Sequence, residues 1–355
     1  MMDQSSILDL YKKDIGKKLV FGISILIFLI LLMSFAVLVG PVNIPLPEIL
    51  SVLTGQTKSG MAYHIIWSIR MPQILTAVIA GAGLAISGAV MQSVLRNPLG
   101  SPFTLGISHA AAFGAAFAIV ILGTGTTHSS GDVVNINNPY ITTISAFMFS
   151  MISTGVILAL AKYKQASPET MILTGVAIGS VFTAGISAIQ YFAEDTAIAA
   201  IIFWQFGDVG KTSWTEIGLI TAVVVPLSFW FAYNSWNFNA LNSGDDTAKS
   251  LGVDVDKLRI KGMVISSTVS ALIVSFVGII GFVGLVVPHI VRKLIGGNEM
   301  LLLPFSFFTG SLLLLVSDTV ARNIISPEVL PVGILTSFLG APLFIYLVIK
   351  GREYW

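Results

Sequence analysis

The sequence has no cysteine among its 355 residues, only four histidines, and charge at just 10% of positions. Each shortage excludes something. Without cysteine there is no disulfide, no thiolate nucleophile and no cysteine-ligated metal. His64, His109, His128 and His289 have no second ligand at metal spacing, and no HExxH pattern occurs. A net charge of +1, with no basic stripe interleaved by aromatics, excludes a nucleic-acid partner. No Ser/His/Asp set can be assembled. Ser87, within Ala85-Ile86-Ser87-Gly88, reads as small-residue packing and not as an intramembrane hydrolase nucleophile.

What fills the space is apolar. Hydrophobic residues make up 55% of the chain, and a soluble domain would carry about 25% charged residues where this one has far fewer. A helix needs about 20 apolar residues to cross the hydrocarbon core. Ten runs approach that length: Leu19–Gly40, Pro72–Leu95, Phe103–Gly123, Tyr140–Ala161, Glu169–Phe192, Ile217–Asn234, Ile260–Ile280, Gly281–Ile295, Leu301–Val320 and Val332–Ile349. The first is too long for a signal-peptide core and reads as a retained span. The eighth is short and follows the seventh directly, with Gly278, Gly281, Gly284 and Pro288 available for a turn.

Ten spans put both termini on one side. Only Lys58, Arg70, Lys211 and Arg322 then fall on the other side, and the remaining 15 of 19 basic residues share the side of the termini. Positive loops stay cytoplasmic, so this asymmetry supports the count and a cytoplasmic N-terminal segment, residues 1–18.

Within the runs, small residues recur at four-residue spacing: Gly81/Ala85/Ala89, Gly106/Ala110/Gly114 and Gly175/Gly179. Such faces let helix backbones approach closely; they can also line a path for a bulky solute, with His109 beside them. Asp318 is the only acid deep in a run. Ion-coupled transporters and pumps place carboxylates or histidines inside the membrane as relays, and a single Asp near a helix end is a poor relay. Gly207-Asp208-Val209-Gly210-Lys211-Thr212 imitates a nucleotide-binding loop, but Gln205 stands where the first glycine belongs and the stretch falls on the outer side. ATP, if used, must arrive on another subunit.

The longest hydrophilic interruption on the inner side runs from Asn237 to Lys261. Ser243 and Gly244 precede Asp245 and Asp246, a pattern for a short capped helix with acids in its first turn. Ala248 lies within it, Leu251 offers an apolar contact and Gly252 ends it. The segment 239–259 is thus a surface another protein can grip.

Several motifs resemble the FecCD family, the permeases of ATP-binding-cassette importers for iron chelates, vitamin B12 and haem. Arg70-Met71-Pro72-Gln73 followed by Gly81-Ala82-Gly83-Leu84-Ala85-Ile86-Ser87-Gly88 and Gln92 is similar to its second span. Arg96-Asn97-Pro98-Leu99-Gly100-Ser101-Pro102 with Leu105-Gly106 resembles its first cytoplasmic turn, and Leu241 to Gly252 its ATPase-coupling segment. Gly281-Phe282-Val283-Gly284-Leu285-Val286-Val287-Pro288-His289-Ile290-Val291-Arg292 resembles its most recognisable stretch. Asp318, Ala321-Arg322, Pro331-Val332-Gly333-Ile334 and Gly340-Ala341-Pro342 resemble its C-terminal spans.

The resemblance implies an all-α integral membrane protein of the inverted-repeat (type II) importer class. It would be a single ten-span domain over 1–355, with spans two to five and seven to ten as inverted halves. It implies a prokaryotic plasma or inner membrane and a homodimer in the bilayer. Two ATP-binding subunits would carry ATP and Mg, so this chain is not an enzyme and binds no cofactor. An extracytoplasmic substrate-binding protein would deliver the cargo. Ser243, Gly244, Asp245, Asp246, Ala248, Leu251 and Gly252 are expected to couple to the ATPase. Asn97-Pro98-Leu99 and Ser167-Pro168 are expected to form the cytoplasmic gate, Arg70 and Arg322 to dock the binding protein, and His109, Gly175 and Gly179 to line the path. Two departures stand out: Gln73 occupies a position where a second arginine is common, and Gly100 one where alanine is common. The alternative function is an ion-coupled secondary transporter, which the scarcity of intramembrane charge disfavours.

Overall fold

The computed structural model describes residues 4–126, 135–136, 138–163 and 168–350. In chain order the helices are α1 (Gln4–Leu38), α2 (Leu46–Leu53), α3 (Met61–His64), a π-helical segment Ile65–Arg70, α4 (Met71–Val94) and α5 (Ile107–Val120). A small antiparallel pair follows, β1 (Gly125–Thr126) and β2 (Asn135–Ile136). Then come α6 (Pro139–Tyr163), α7 (Pro168–Phe192), α8 (Asp195–Gln205), a 3₁₀ turn Val209–Lys211, α9 (Trp214–Tyr233), α10 (Ser235–Asn242), α11 (Asp245–Ser250), α12 (Val255–Val277), α13 (Val283–Ile295), α14 (Glu299–Ala321) and α15 (Val332–Lys350).

Seven helical stretches are long and apolar enough to cross a membrane: Gly16–Leu38, Met61–Val94, Pro139–Tyr163, Pro168–Phe192, Trp214–Tyr233, Val255–Val277 and Glu299–Ala321. Each of the ten apolar runs contains a helix, but α5 and α13 are too short for that standard. α5 has 14 residues, about 21 Å of helix against a core of about 30 Å, and α13 has 13. α15 has 19 residues. In the α5 run, the first apolar residues fold into a turn, 101–106, in place of helix. At the N-terminus α1 carries the helix back through the polar segment to Gln4. α8 is an 11-residue helix lying between the fifth and sixth apolar runs, outside the ten expected spans.

α4 is the axis of the molecule. Every residue from 79 to 95 is buried, which suits a helix that is apolar all round. It packs against α14, α12, α13 and α9. The glycines make this possible. A Cβ on Gly81 would lie 2.3 Å from the Gly310 carbonyl oxygen of α14, and one on Gly88 would lie 1.8 Å from that of Gly284 in α13. The small-residue spacing is therefore helix packing: lipid gives helices no hydrophobic reason to associate, so close backbone approach supplies the attraction. α1 and α7 lie at the periphery, and α7 exposes Leu173, Val176 and Val181.

The break between α12 and α13 differs from expectation. Gly278 (φ 79°) and Phe282 (φ 65°) take the left-handed conformations that turn the chain. Gly284 instead admits α4, and Pro288 sits inside α13. The non-helical backbone here is satisfied internally. Asp208 N–H donates to the Val277 carbonyl at 2.8 Å, Gly333 N–H donates to the Gly207 carbonyl at 2.8 Å, and Phe206 pairs with Ile279 as a parallel bridge. Irregular backbone is tolerated at membrane depth only when buried in protein in this way.

Candidate coupling, gate and pathway sites

The hydrophilic segment folds into two short helices. α10 is fastened by Asn239, whose Oδ1 accepts from the Glu299 N–H at 2.8 Å and whose Nδ2 donates to Asn298 at 3.0 Å. Asn242 donates to Glu299 Oε1 at 2.9 Å, and Ser93 of α4 donates to the same oxygen at 2.7 Å. Glu299 is fully buried. It escaped the sequence reading because it opens its helix, just outside the apolar run.

α11 starts after Gly244 (φ 116°), with Asp245 and Asp246 in its first turn as expected. The cap is a correction. Ser243 closes α10, its hydroxyl donating to the Asn239 carbonyl at 3.2 Å, and no side chain caps α11. The chain needs a positive φ between the two helices, which glycine supplies and serine does not. Gly252 (φ 83°) ends α11. Ala248 is buried against the body, whereas Leu251 is 67% exposed.

Asp245 is gripped by two arginines. Arg259 Nη2 lies 3.0 Å from its Oδ1 and 3.2 Å from Oδ2, and Arg96 Nη1 lies 3.5 Å from Oδ1. Arg259 is 2% exposed and its Nε also donates to the Val94 carbonyl at 3.1 Å. Arg96 leads directly into the Asn97-Pro98-Leu99 turn. There Asn97 Oδ1 accepts from the Leu99 N–H at 2.8 Å, and the Leu99 carbonyl accepts from Thr104 Oγ1 at 2.9 Å. Leu99 itself is exposed. Of the second expected gate turn, Pro168 is the first residue of α7 and Ser167 lies outside the described residues.

His109, Gly175 and Gly179 come together. They line a cavity of about 570 Å³ between α5 and α7, with Phe103, Thr104 and Thr183. The glycines have a packing role as well. A Cβ on Gly175 would lie 2.8 Å from Leu105 Cα, and Gly106 (φ 72°) meets Gly175 and Gly179 on its other side. The His109 ring packs against Phe103 at a tilt of 48° with centroids 4.9 Å apart, and its buried Nδ1 has no hydrogen-bond partner among the described residues.

Arg70 and Arg322 require a correction. Each is only 2% exposed. Arg70 donates to the carbonyls of Val37 at 2.6 Å, of Leu38 at 3.2 Å and of Val42, holding the end of α1. Arg322 Nε lies 3.0 Å from Asp318 Oδ2, an ion pair off the hydrogen-bond axis, and Gln73 donates to Asp318 Oδ1 at 2.9 Å. Arg70 is committed internally, and Arg322 is buried beside Asp318 with its Nη2 lacking a hydrogen-bond partner among the described residues, so neither presents an exposed fork to a second protein. Gln73 explains its own departure: with Arg322 already beside Asp318, a neutral amide completes the carboxylate without adding a second buried cation. The nucleotide-loop imitation is likewise occupied, since Lys211 Nζ donates to the carbonyls of Phe203 at 2.9 Å and Phe206 at 3.2 Å.

Comparison with known proteins accords with this arrangement. The FecCD transport family matches residues 26–350. A Methanocaldococcus jannaschii protein assigned as an ABC transporter permease is 51% identical over 340 residues, 96% of this chain and 97% of that one. The haemin transport system permease of Yersinia pestis is 32% identical, over 85% of this chain and 88% of its own. Among solved structures, an inward-facing ABC transporter of the metal-chelate type superposes with a TM-score of 0.80 at 30% identity, covering 94% of this chain and 99% of the other. A model matching nearly the whole chain, with sequence and fold relatives of the same kind, leaves one conclusion: the chain belongs to the FecCD transport family and is a membrane permease of an ABC importer.

Proposed function

We propose that two copies of this single-domain permease form a homodimer that passes a bulky metal chelate inward. The cargo is of the iron-siderophore, cobalamin or haem type. Each copy spans the bilayer ten times with both termini cytoplasmic, the short helices α5 and α13 crossing together with their adjoining turns. An extracytoplasmic binding protein delivers the cargo. Two separate subunits bind ATP and Mg, and this chain holds no cofactor of its own. The carrying observation is the cavity that contains His109, Gly175 and Gly179, on the face where α7 leaves Val176 exposed. Its hydroxyls, imidazole and apolar wall suit a large ligand with few charges. The haemin relative and the metal-chelate structure support the cargo class. Leu99 and the Ser167-Pro168 turn are the inner gate, and α10–α11 the ATPase seat.

Reconstitution tests this reading. Proteoliposomes holding the permease, its ATPase and its binding protein are supplied with haemin, cyanocobalamin and a ferric siderophore. Uptake of one of them should require internal ATP and persist after ionophores collapse the proton and sodium gradients. Uptake that follows an ion gradient without the ATPase would establish the secondary-transporter alternative instead. Molybdate uptake in place of all three would overturn the cargo class alone.

A further inference from the structure

The last turn of α4 is held by the coupling segment at two places of different character. Ser93 and Asn242 share the buried Glu299 carboxylate, the Ser93 bond buried and the Asn242 bond partly so. One turn further on, Asp245 at the start of α11 is shared between Arg259 and Arg96. Arg259 is buried and binds the Val94 carbonyl, so it joins α11 and α12 to the end of α4 as one unit. Arg96 is different. Its side chain is 44% exposed, its contact is longer at 3.5 Å, and its backbone has φ 45°. A non-glycine residue with positive φ is uncommon, and such conformations persist only where the surroundings impose them. Beyond Arg96 comes the turn carrying the exposed Leu99, with no further contact between that turn and α11 among the bonds formed by Asp245.

We infer that Asp245 and Arg96 form a breakable clasp that transmits movement of α11 to the Asn97-Pro98-Leu99 turn, with the Asp245–Arg259 pair as its fixed half. This rests on the reading of α11 as the ATPase seat. The physical logic is a division of labour. A pair whose arginine is buried and multiply bonded is costly to break, because it would strand that charge, whereas a half-exposed pair is worth about 0–1 kcal/mol and can open and close within a transport cycle. Asp245 is a positioning residue here; it touches neither cargo nor nucleotide.

The absence of cysteine makes the test direct. A nitroxide on Leu99→Cys, in the permease with its ATPase bound, reports the turn's mobility with and without ATP-vanadate. In the parent the spectrum should change on trapping nucleotide. Arg96→Gln leaves the Asp245–Arg259 pair in place, and should shrink that change by up to about fivefold, the upper limit for one exposed pair. Arg96→Gly removes the side chain while easing the backbone, and should do the same. Arg96→Lys keeps the charge and should preserve the response. Asp245→Asn can destabilise the fold by stranding Arg259, so Arg96→Gln carries the decision. An unchanged nucleotide response in Arg96→Gln overturns the clasp. Loss of the ATPase from Arg96→Gln also overturns it, because Arg96 would then serve docking. Cysteine cross-links from residues 244 to 251 test the seat separately: capture of the ATPase there with an unchanged response sinks only the clasp, whereas failed capture sinks the seat.

Discussion

Single residues here do work that their type alone does not reveal. Glycine is the clearest case, because the same residue is obligatory at one site and idle at another. Gly88 faces the Gly284 carbonyl at a distance no Cβ can share, whereas Gly218 in α9 has nothing within 4 Å of a Cβ position. Gly88→Ala should therefore lower the thermal stability of the detergent-solubilised permease by about 1–3 kcal/mol or more. Gly218→Ala should be neutral or stabilising by up to about 1 kcal/mol. Fluorescence-monitored unfolding of both variants checks the pair. Arginine is the second case. Removing Arg322 leaves Asp318 as an uncompensated buried charge, with an expected loss of about 3–5 kcal/mol. The double variant Asp318→Ala/Arg322→Ala should lose less than the sum of the single losses, since no charge is stranded. The expectation that Arg70 and Arg322 dock a partner rested on their outer position. Position along the chain says on which side a residue lies, and only packing says whether its fork is already filled.

At the scale of elements, α11 presents two faces of opposite use. Ala248 is buried against the body and Leu251 is 67% exposed. Leu251→Asp should cut co-purification of the ATPase while leaving the permease's own unfolding free energy within about 0.5 kcal/mol of the parent, as surface changes usually do. Ala248→Leu should do the reverse, destabilising the permease by overpacking. The existence of this helix, its acids and its terminal glycine were legible from residues 244–252, because those signals are local. Its cap was not. Ser243 is a good cap by type, but the Asn239 carbonyl of the preceding helix claimed its hydroxyl first. α8 was missed because eight apolar residues between longer runs carry no signal that separates helix from loop.

For the whole molecule, the peripheral apolar faces carry the argument. Val176 on α7 and Phe338 on α15 are exposed although both are large and hydrophobic. Lipid covers such residues as readily as another protein does, so exposure alone does not choose. The proposed dimer does choose: cysteines at residue 176 should cross-link between two copies in membranes, whereas cysteines at residue 28 of α1, an exposed phenylalanine in this chain, should not. Cross-linking at residue 28 without any at 176 would move the interface to α1.

The sequence by itself determined that the chain lives in a bilayer, where its apolar helices lie and which family's motifs it carries. Those properties follow from composition and from runs of neighbouring residues, and lipid demands that each run satisfy its own backbone as a helix. Only the tertiary structure decided that α4 is the axis, that Arg70 and Arg322 are buried, and that Asp245 holds Arg96 and Arg259 together. These depend on contacts between residues far apart in the chain, such as Gln73 with Asp318 and Ser93 with Glu299. A carboxylate's partner is set by what folding brings within about 3 Å of it, and no spacing along the sequence encodes that distance.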